Sequence, residues 1–176
     1  MTKLGRKLLS VVCVAVTGVL AGCGSTQAAI PKKFCEVPVR ESALSPLLPS
    51  GSSIKQNYAA GEARPGTGCT LSVDGHQILF ADINRWDRAP EPTDWNTVGT
   101  QYKYVAQRKV SFPGYAAIGS EEAIVQATCN TRTAYMSVTI YFRGSRVEES
   151  PAGYKKLLRF VDDFVPGVTK KFDCTK

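Results

Sequence analysis

The run CTLSVDGHQILFADINRW, Cys69 to Trp86, decides the fold. Asp74-Gly75 is a dipeptide suited to positive φ, and it stands between two runs rich in β-branched and aromatic residues, the pattern of a β-hairpin. On the first arm Cys69, Leu71 and Val73 alternate to one side. On the second, Leu79, Ala81 and Ile83 share one face while Ile78 and Phe80 share the other. A strand apolar on both faces reads as a central strand covered twice, which predicts layers rather than an open sheet.

Outward toward the C-terminus, DRAPEPTD is a proline-broken loop. Thr93 or Asp94 can cap a helix from Trp95 to about Lys109, in which Trp95, Val98, Tyr102, Val105 and Ala106 form the apolar stripe. After SFPGYAAIGS a second hairpin follows. Ala123, Val125, Ala127 and Cys129 alternate on its first arm, CNTR reverses the chain, and Ala134, Met136, Val138, Ile140 and Phe142 alternate on the return, opposite Tyr135, Ser137, Thr139 and Tyr141. Ser150-Pro151 sets an N-cap and first-turn proline for a last helix through Phe164, with Tyr154, Leu157, Leu158 and Val161 on its core side and Val165-Pro166-Gly167 as its stop.

Toward the N-terminus, RESALSPLL (40–48) reads as a short helix carrying Leu44, Leu47 and Leu48 on one face, ended by Pro49-Ser50-Gly51. The stretch from Gly51 to Gly68 shows little periodicity beyond Ile54 and Tyr58 and reads mostly as loop. The expected order is therefore helix, hairpin, helix, hairpin, helix: an α+β chain whose antiparallel hairpins are flanked by helices in a sandwich-like arrangement.

The first residues carry a different signal. Lys3, Arg6 and Lys7 precede the apolar run LLSVVCVAVTGVLA, which is too short to span a bilayer comfortably, and small residues then lead to Cys23. This is the layout of a cleaved signal peptide. Leu20-Ala21-Gly22-Cys23 resembles the lipobox of bacterial lipoproteins, which implies cleavage before Cys23 and a diacylglyceryl thioether on its sulfur. The expected organisation is a signal peptide at 1–22, a flexible tether at 23–33 and one extracytoplasmic domain at 34–176. A lipid-anchored protein on the outer face of the cell membrane follows, because two acyl chains hold what one holds only marginally.

Cysteine usage agrees with that compartment. Cys13 leaves with the leader and Cys23 is acylated, which leaves Cys35, Cys69, Cys129 and Cys174. An even number in an oxidising exterior predicts two disulfides. Of the three pairings, Cys35 with Cys69 and Cys129 with Cys174 is preferred, since each then ties one end of a helical segment to a nearby hairpin. There is no Cys-x-x-Cys spacing and His76 is the single histidine, so no metal site and no other cofactor is expected.

Charge narrows the partners. The full chain carries +7, and loss of Lys3, Arg6 and Lys7 lowers this to +4. The remaining basic residues form no cluster within a recognisable nucleic-acid module, so nucleic acid is not an expected partner. A weak basic excess suits acidic lipid head groups or anionic wall polymers.

The lipobox, the early CEVPVRESALSPLLPSG, the GCTLSVDG strand and GYAAIGSEEAIV leading into the next strand together resemble lipoproteins of actinobacteria that carry a domain of unknown function. Gly114, Gly119, Ser120 and Ala123 approximate the glycine turn of that family, with wider spacing and serine where an acid is common. The resemblance implies an antiparallel sheet flanked by helices, of the Mog1/PsbP type, with no established activity and no catalytic residues to carry over.

No catalytic set emerges from the chain itself. His76 follows the Asp74-Gly75 turn, and Asp82 lies about 20 Å along the strand on what alternation makes the same face, beyond hydrogen-bond reach. Glu121-Glu122, Glu148-Glu149 and Asp162-Asp163 offer carboxylates, and a glycoside hydrolase would need two across a cleft. The stronger hint is aromatic. Trp86 ends one strand and Trp95 opens the next element, so the proline loop could bring both rings to one rim, with Tyr135 and Tyr141 as a second surface. Such rings offer large contact area with a polar edge, suited to a cell-wall polymer or an envelope protein. A non-catalytic binding module is the expectation, and a small envelope hydrolase the alternative.

Overall fold

The computed structural model describes residues 27–60, 66–100 and 102–175. The expected signal peptide at 1–22, its lipobox-like end and Cys23 lie outside the described residues.

The Asp74-Gly75 turn forms, both residues taking positive φ (49° and 83°). It joins β4 (Gly66–Val73) to β5 (His76–Trp86). These two belong to a seven-stranded antiparallel sheet, completed by β3 (Ile54–Ala60), β6 (Ala106–Arg108), β7 (Gly114–Ile118), β8 (Glu122–Thr128) and β9 (Tyr135–Phe142), in the spatial order β3-β4-β5-β9-β8-β7-β6. After β5 the chain crosses to the far edge and returns strand by strand, so β9 closes against β5 and both become internal. A separate two-stranded ribbon, β1 (Lys33–Phe34) with β2 (Val37–Pro38), precedes a short α1 (Glu41–Leu44) that runs into a 3-10 turn at Ser45–Leu47.

Alternation sorts the sheet into two faces. Leu71, Leu79, Ala81, Ile83, Val125, Met136, Val138 and Ile140 are buried on the inner face, together with Phe34, Leu44 and Leu47 and with Leu157, Phe160, Val161 and Phe164 of α2 (Tyr154–Lys171). The inner layer is thus one amphipathic helix laid on a half-apolar sheet, an α+β architecture. Phe34 packs on Phe160 and Phe164, with ring centroids 5.9 and 5.3 Å away. Both disulfides form as the preferred pairing: Cys35 with Cys69 joins the ribbon to β4, and Cys129 with Cys174 joins the end of β8 to the residues after α2.

Four local expectations are corrected. The segment from Trp95 to Lys109 is not a helix. Residues 95–100 form successive turns and Ala106–Arg108 is a strand. Asn96, Gly99 and the paired Thr, Val and Tyr residues occupy eight of its fifteen positions, and Gly99 and Tyr104 take positive φ (73° and 62°), so helix propensity is low and Ala106 joins the sheet instead. Without that helix the sheet is flanked on one face, and the two-sided sandwich does not form.

The last helix does not stop at Phe164. It continues through Pro166 and Gly167 to Lys171, because Val165 and Val168 are fully buried beyond the expected stop and Cys174 is bonded just after it. That burial offsets the hydrogen bond Pro166 cannot make, a deficit of about 3 kcal/mol in an isolated helix. At the other end Gly153 is the N-cap, and Pro151 lies in the turn before it.

Much of the stretch after Gly51 is strand rather than loop. Ile54–Ala60 pairs in register with β4 at the sheet edge, and Lys55, Gln56 and Asn57 are exposed there, as an edge strand tolerates. Finally, a bulge breaks alternation on β5. Leu71 faces Leu79 but Ser72 faces Gln77, so Ile78 is extra, and both Ile78 and Leu79 point into the core. His76 consequently falls on the face opposite Asp82, not the same one.

Candidate functional site on the outer sheet face

Partners across antiparallel strands share a face, so the register lays out the side of the sheet away from α2. Trp86 stands beside Tyr135; Asn84, Ser137, Gln126 and Tyr115 form the next row; Asp82, Thr139, Ile124 and Ala117 the one after; and Phe80, Tyr141 and Glu122 the last. Aromatic rings therefore close both ends of a polar strip.

The rings are paired. Trp86 stacks on Tyr135 with centroids 5.9 Å apart and planes within 10°, and its indole Nε1 donates a 2.9 Å hydrogen bond to Ser137 Oγ. Phe80 stacks on Tyr141 at 6.0 Å, and Trp95 on Tyr115 at 5.7 Å. Between them Asn84 Nδ2 donates to Asp82 Oδ2 at 2.9 Å. Trp86 and Tyr115 keep 36 % and 50 % of their surface exposed, which leaves ring area for a ligand.

All four expected rim residues, Trp86, Trp95, Tyr135 and Tyr141, belong to this face, but in three separate pairs. The proline loop does not bring the two tryptophans together. It carries Trp95 over β7, three strand spacings or roughly 14 Å from β5. Tyr115 is not singled out by its local sequence, and Phe80 reads there only as sharing a face with Ile78, from which the bulge separates it.

The segment after Trp95 continues over the sheet. Gly99 lies beside Ile124, and Tyr102 reaches the Phe80–Tyr141 end. There Glu122, only 2 % exposed, lies in reach of the hydroxyls of Tyr141 and Tyr102. Its Oε2 has no partner among the described residues. Burial pushes its carboxyl from the usual 4.5 up to about 7, while the two hydroxyls pull in the opposite direction. Burial, followed by the charge of Glu122, raises the Tyr141 hydroxyl. A cleft of about 430 Å³ adjoins the cluster, lined by Tyr102, Glu121, Tyr141 and Arg143 among others.

This cluster can take up or release a proton near neutral pH. Glu121 lines the cleft and Glu122 is enclosed beside it, so the pair does not face across a cavity as a two-carboxylate hydrolysis requires. His76 is exposed at the start of β5, outside this face. Among the described residues no group of three or more His, Cys, Asp or Glu stands close enough to hold a metal ion. The Glu122 cluster was half visible in sequence: Glu121-Glu122 was noted as a carboxylate pair, but its tyrosine partners come from other elements. No protein-family model, curated protein or solved structure matches the chain.

Proposed function

We propose that this is a lipid-anchored protein of the cell envelope, held by a diacylglyceryl group on Cys23, and that its outer sheet face is a non-catalytic binding surface for a hydroxyl-rich wall polymer. The observation that carries the binding reading is the row of stacked pairs, Trp86–Tyr135, Trp95–Tyr115 and Phe80–Tyr141, around the polar strip of Asp82, Asn84, Ser137 and Thr139. Aromatic rings pack against the C–H faces of sugars while amide, carboxylate and hydroxyl groups take their hydroxyls. Two disulfides support an oxidising exterior, and the resemblance to actinobacterial envelope lipoproteins supports the address.

The test is co-sedimentation of the purified lipid-bearing protein with insoluble cell-wall polysaccharide, with tryptophan fluorescence as a second readout. Saturable binding that disturbs tryptophan emission is expected. Failure to bind any wall fraction overturns the polymer reading and leaves an envelope protein as the alternative partner.

A second reading, a small envelope hydrolase, has one specific observation in its favour: the Glu122 carboxyl near neutrality beside a cleft, the property of a general acid. Against it stand the enclosure of Glu122 and the absence of a facing carboxylate among the residues lining that cleft. Release of soluble sugar from the same wall fraction, abolished by Glu122→Gln, would decide for the hydrolase.

A further inference from the structure

The anchor and the fold together orient the molecule. Ala28 donates its N–H to the carbonyl of Gly51 at 2.8 Å, and Ile30 packs against the core. Five peptide steps separate Cys23 from Ala28, so a lipid on Cys23 keeps Ala28 within about 18 Å of the acylated residue even with the chain fully extended, and Gly51 lies one hydrogen bond beyond.

Gly51 belongs to one pole of the sheet. The amides of Ser52 and Ser53 donate to Asp74 Oδ1 in the β4–β5 turn, at 3.0 and 2.8 Å. Arg143, just past β9, donates its N–H to the Ile78 carbonyl at 2.9 Å. A cavity of about 600 Å³ at this pole is lined by Ser50, Asp74, His76, Gln77 and Arg143, among others. Arg143 is exposed here.

From this pole β5 runs away toward Trp86. Ten residue steps from His76 to Trp86 cover about 30 Å. Trp95 rides on Tyr115, which is level with Asn84 through Gln126 and Ser137, so it too belongs to the distant half.

We propose that the anchored protein stands on its β4–β5 turn, with that turn and the loops of Gly51 and Arg143 facing the phospholipid headgroups, and that the Trp86–Tyr135 end projects outward toward the wall. This rests on Cys23 bearing the lipid, and it deepens the binding reading by saying which way the aromatic face points. The short link forbids the inverted arrangement: with the Trp86–Tyr135 end on the headgroups, Gly51 would stand about 30 Å above them, beyond the reach of the link. A stance on its side, which the link allows, would give the native tryptophans transfer comparable to that of Gln77→Trp.

Energy transfer from tryptophan to a dansyl headgroup lipid tests the orientation on the full lipid-bearing protein in vesicles. Flotation with the vesicles is measured first, for this protein and for Cys23→Ala. The native donors, Trp86 and Trp95, are expected to transfer weakly. Gln77→Trp, which adds a donor at an exposed position of the proposed contact pole, is expected to transfer several-fold more. Equal transfer from the native and Gln77→Trp proteins, with normal flotation, overturns the orientation alone. Flotation that fails, or that survives Cys23→Ala unchanged, overturns the anchoring reading and the orientation with it.

Discussion

The indole Nε1 of Trp86 donates to Ser137 Oγ at 2.9 Å, and this bond aligns the Trp86 ring over Tyr135. This bond and the stacking on Tyr135 together hold the plane on which a sugar ring would rest. Trp86→Ala is expected to weaken wall-polymer binding about tenfold, roughly 1.4 kcal/mol. Ser137→Ala keeps the ring but frees its orientation, so a smaller loss is expected. Binding isotherms of the two variants check this, and an unchanged isotherm for Trp86→Ala removes the ring from the binding surface.

Glu122 makes stability depend on pH. Its folded carboxyl is raised from 4.5 to about 7, so the folded state holds a proton that the unfolded state releases. Stability is therefore highest below about pH 4.5 with respect to this group, falls as pH rises from there to about 7, and levels off above. Glu122→Gln mimics the protonated form and is expected to flatten this fall. Thermal unfolding of both proteins across that pH range measures it, and parallel profiles would contradict the burial of an ionisable carboxyl here.

The two disulfides close long loops, with sequence separations of 34 and 45. Replacing either pair by alanines is expected to cost about 4 kcal/mol in the chain-entropy description. Loss of Cys129–Cys174 is also expected to loosen the last turns of α2, since Cys174 lies directly after that helix. Denaturant unfolding gives the first quantity and amide exchange around Val168 the second. A protein as stable without the bridge would refute the proposed constraint.

Pro166 interrupts the hydrogen-bonding of a helix that continues past it. Its side chain is exposed, so Pro166→Ala should restore the missing amide donor without loss of packing. A gain of about 2 kcal/mol is expected, after the larger entropy of the unfolded alanine chain is set against the helix term. Denaturant midpoints check this; a destabilised variant would mean that the proline is needed for the helix geometry.

Local order of residues was enough for some of this molecule. The Asp74-Gly75 turn, the inward row Met136, Val138, Ile140 and Phe142, the Leu44–Leu47–Leu48 face and the start of the α2 stripe follow from periods of 2 and 3.6 that a chain carries along its own length. Tyr135 and Tyr141 were legible as members of one strand face for the same reason, whereas Trp86, Trp95 and Tyr115 were not. The disulfide pairing was also named correctly, and for Cys129–Cys174 on the right ground, since it joins a hairpin strand to the end of a helix; Cys35 instead lies in a two-stranded ribbon that no local period announced.

Other features depend on which segments meet, and no local period encodes that. Pairing of β5 with β9 set Trp86 on Tyr135 and Phe80 on Tyr141. Assembly of the sheet buried Glu122 and moved its carboxyl toward neutrality, against the pull of the Tyr141 and Tyr102 hydroxyls. Burial of Val165 and Val168 carried α2 through Pro166, and Ala106, which local spacing had assigned to a helix, joined the sheet as part of β6. In each case free energy gained by burial across distant parts of the chain exceeded a local preference of a few kcal/mol, and only the assembled tertiary structure contains that comparison.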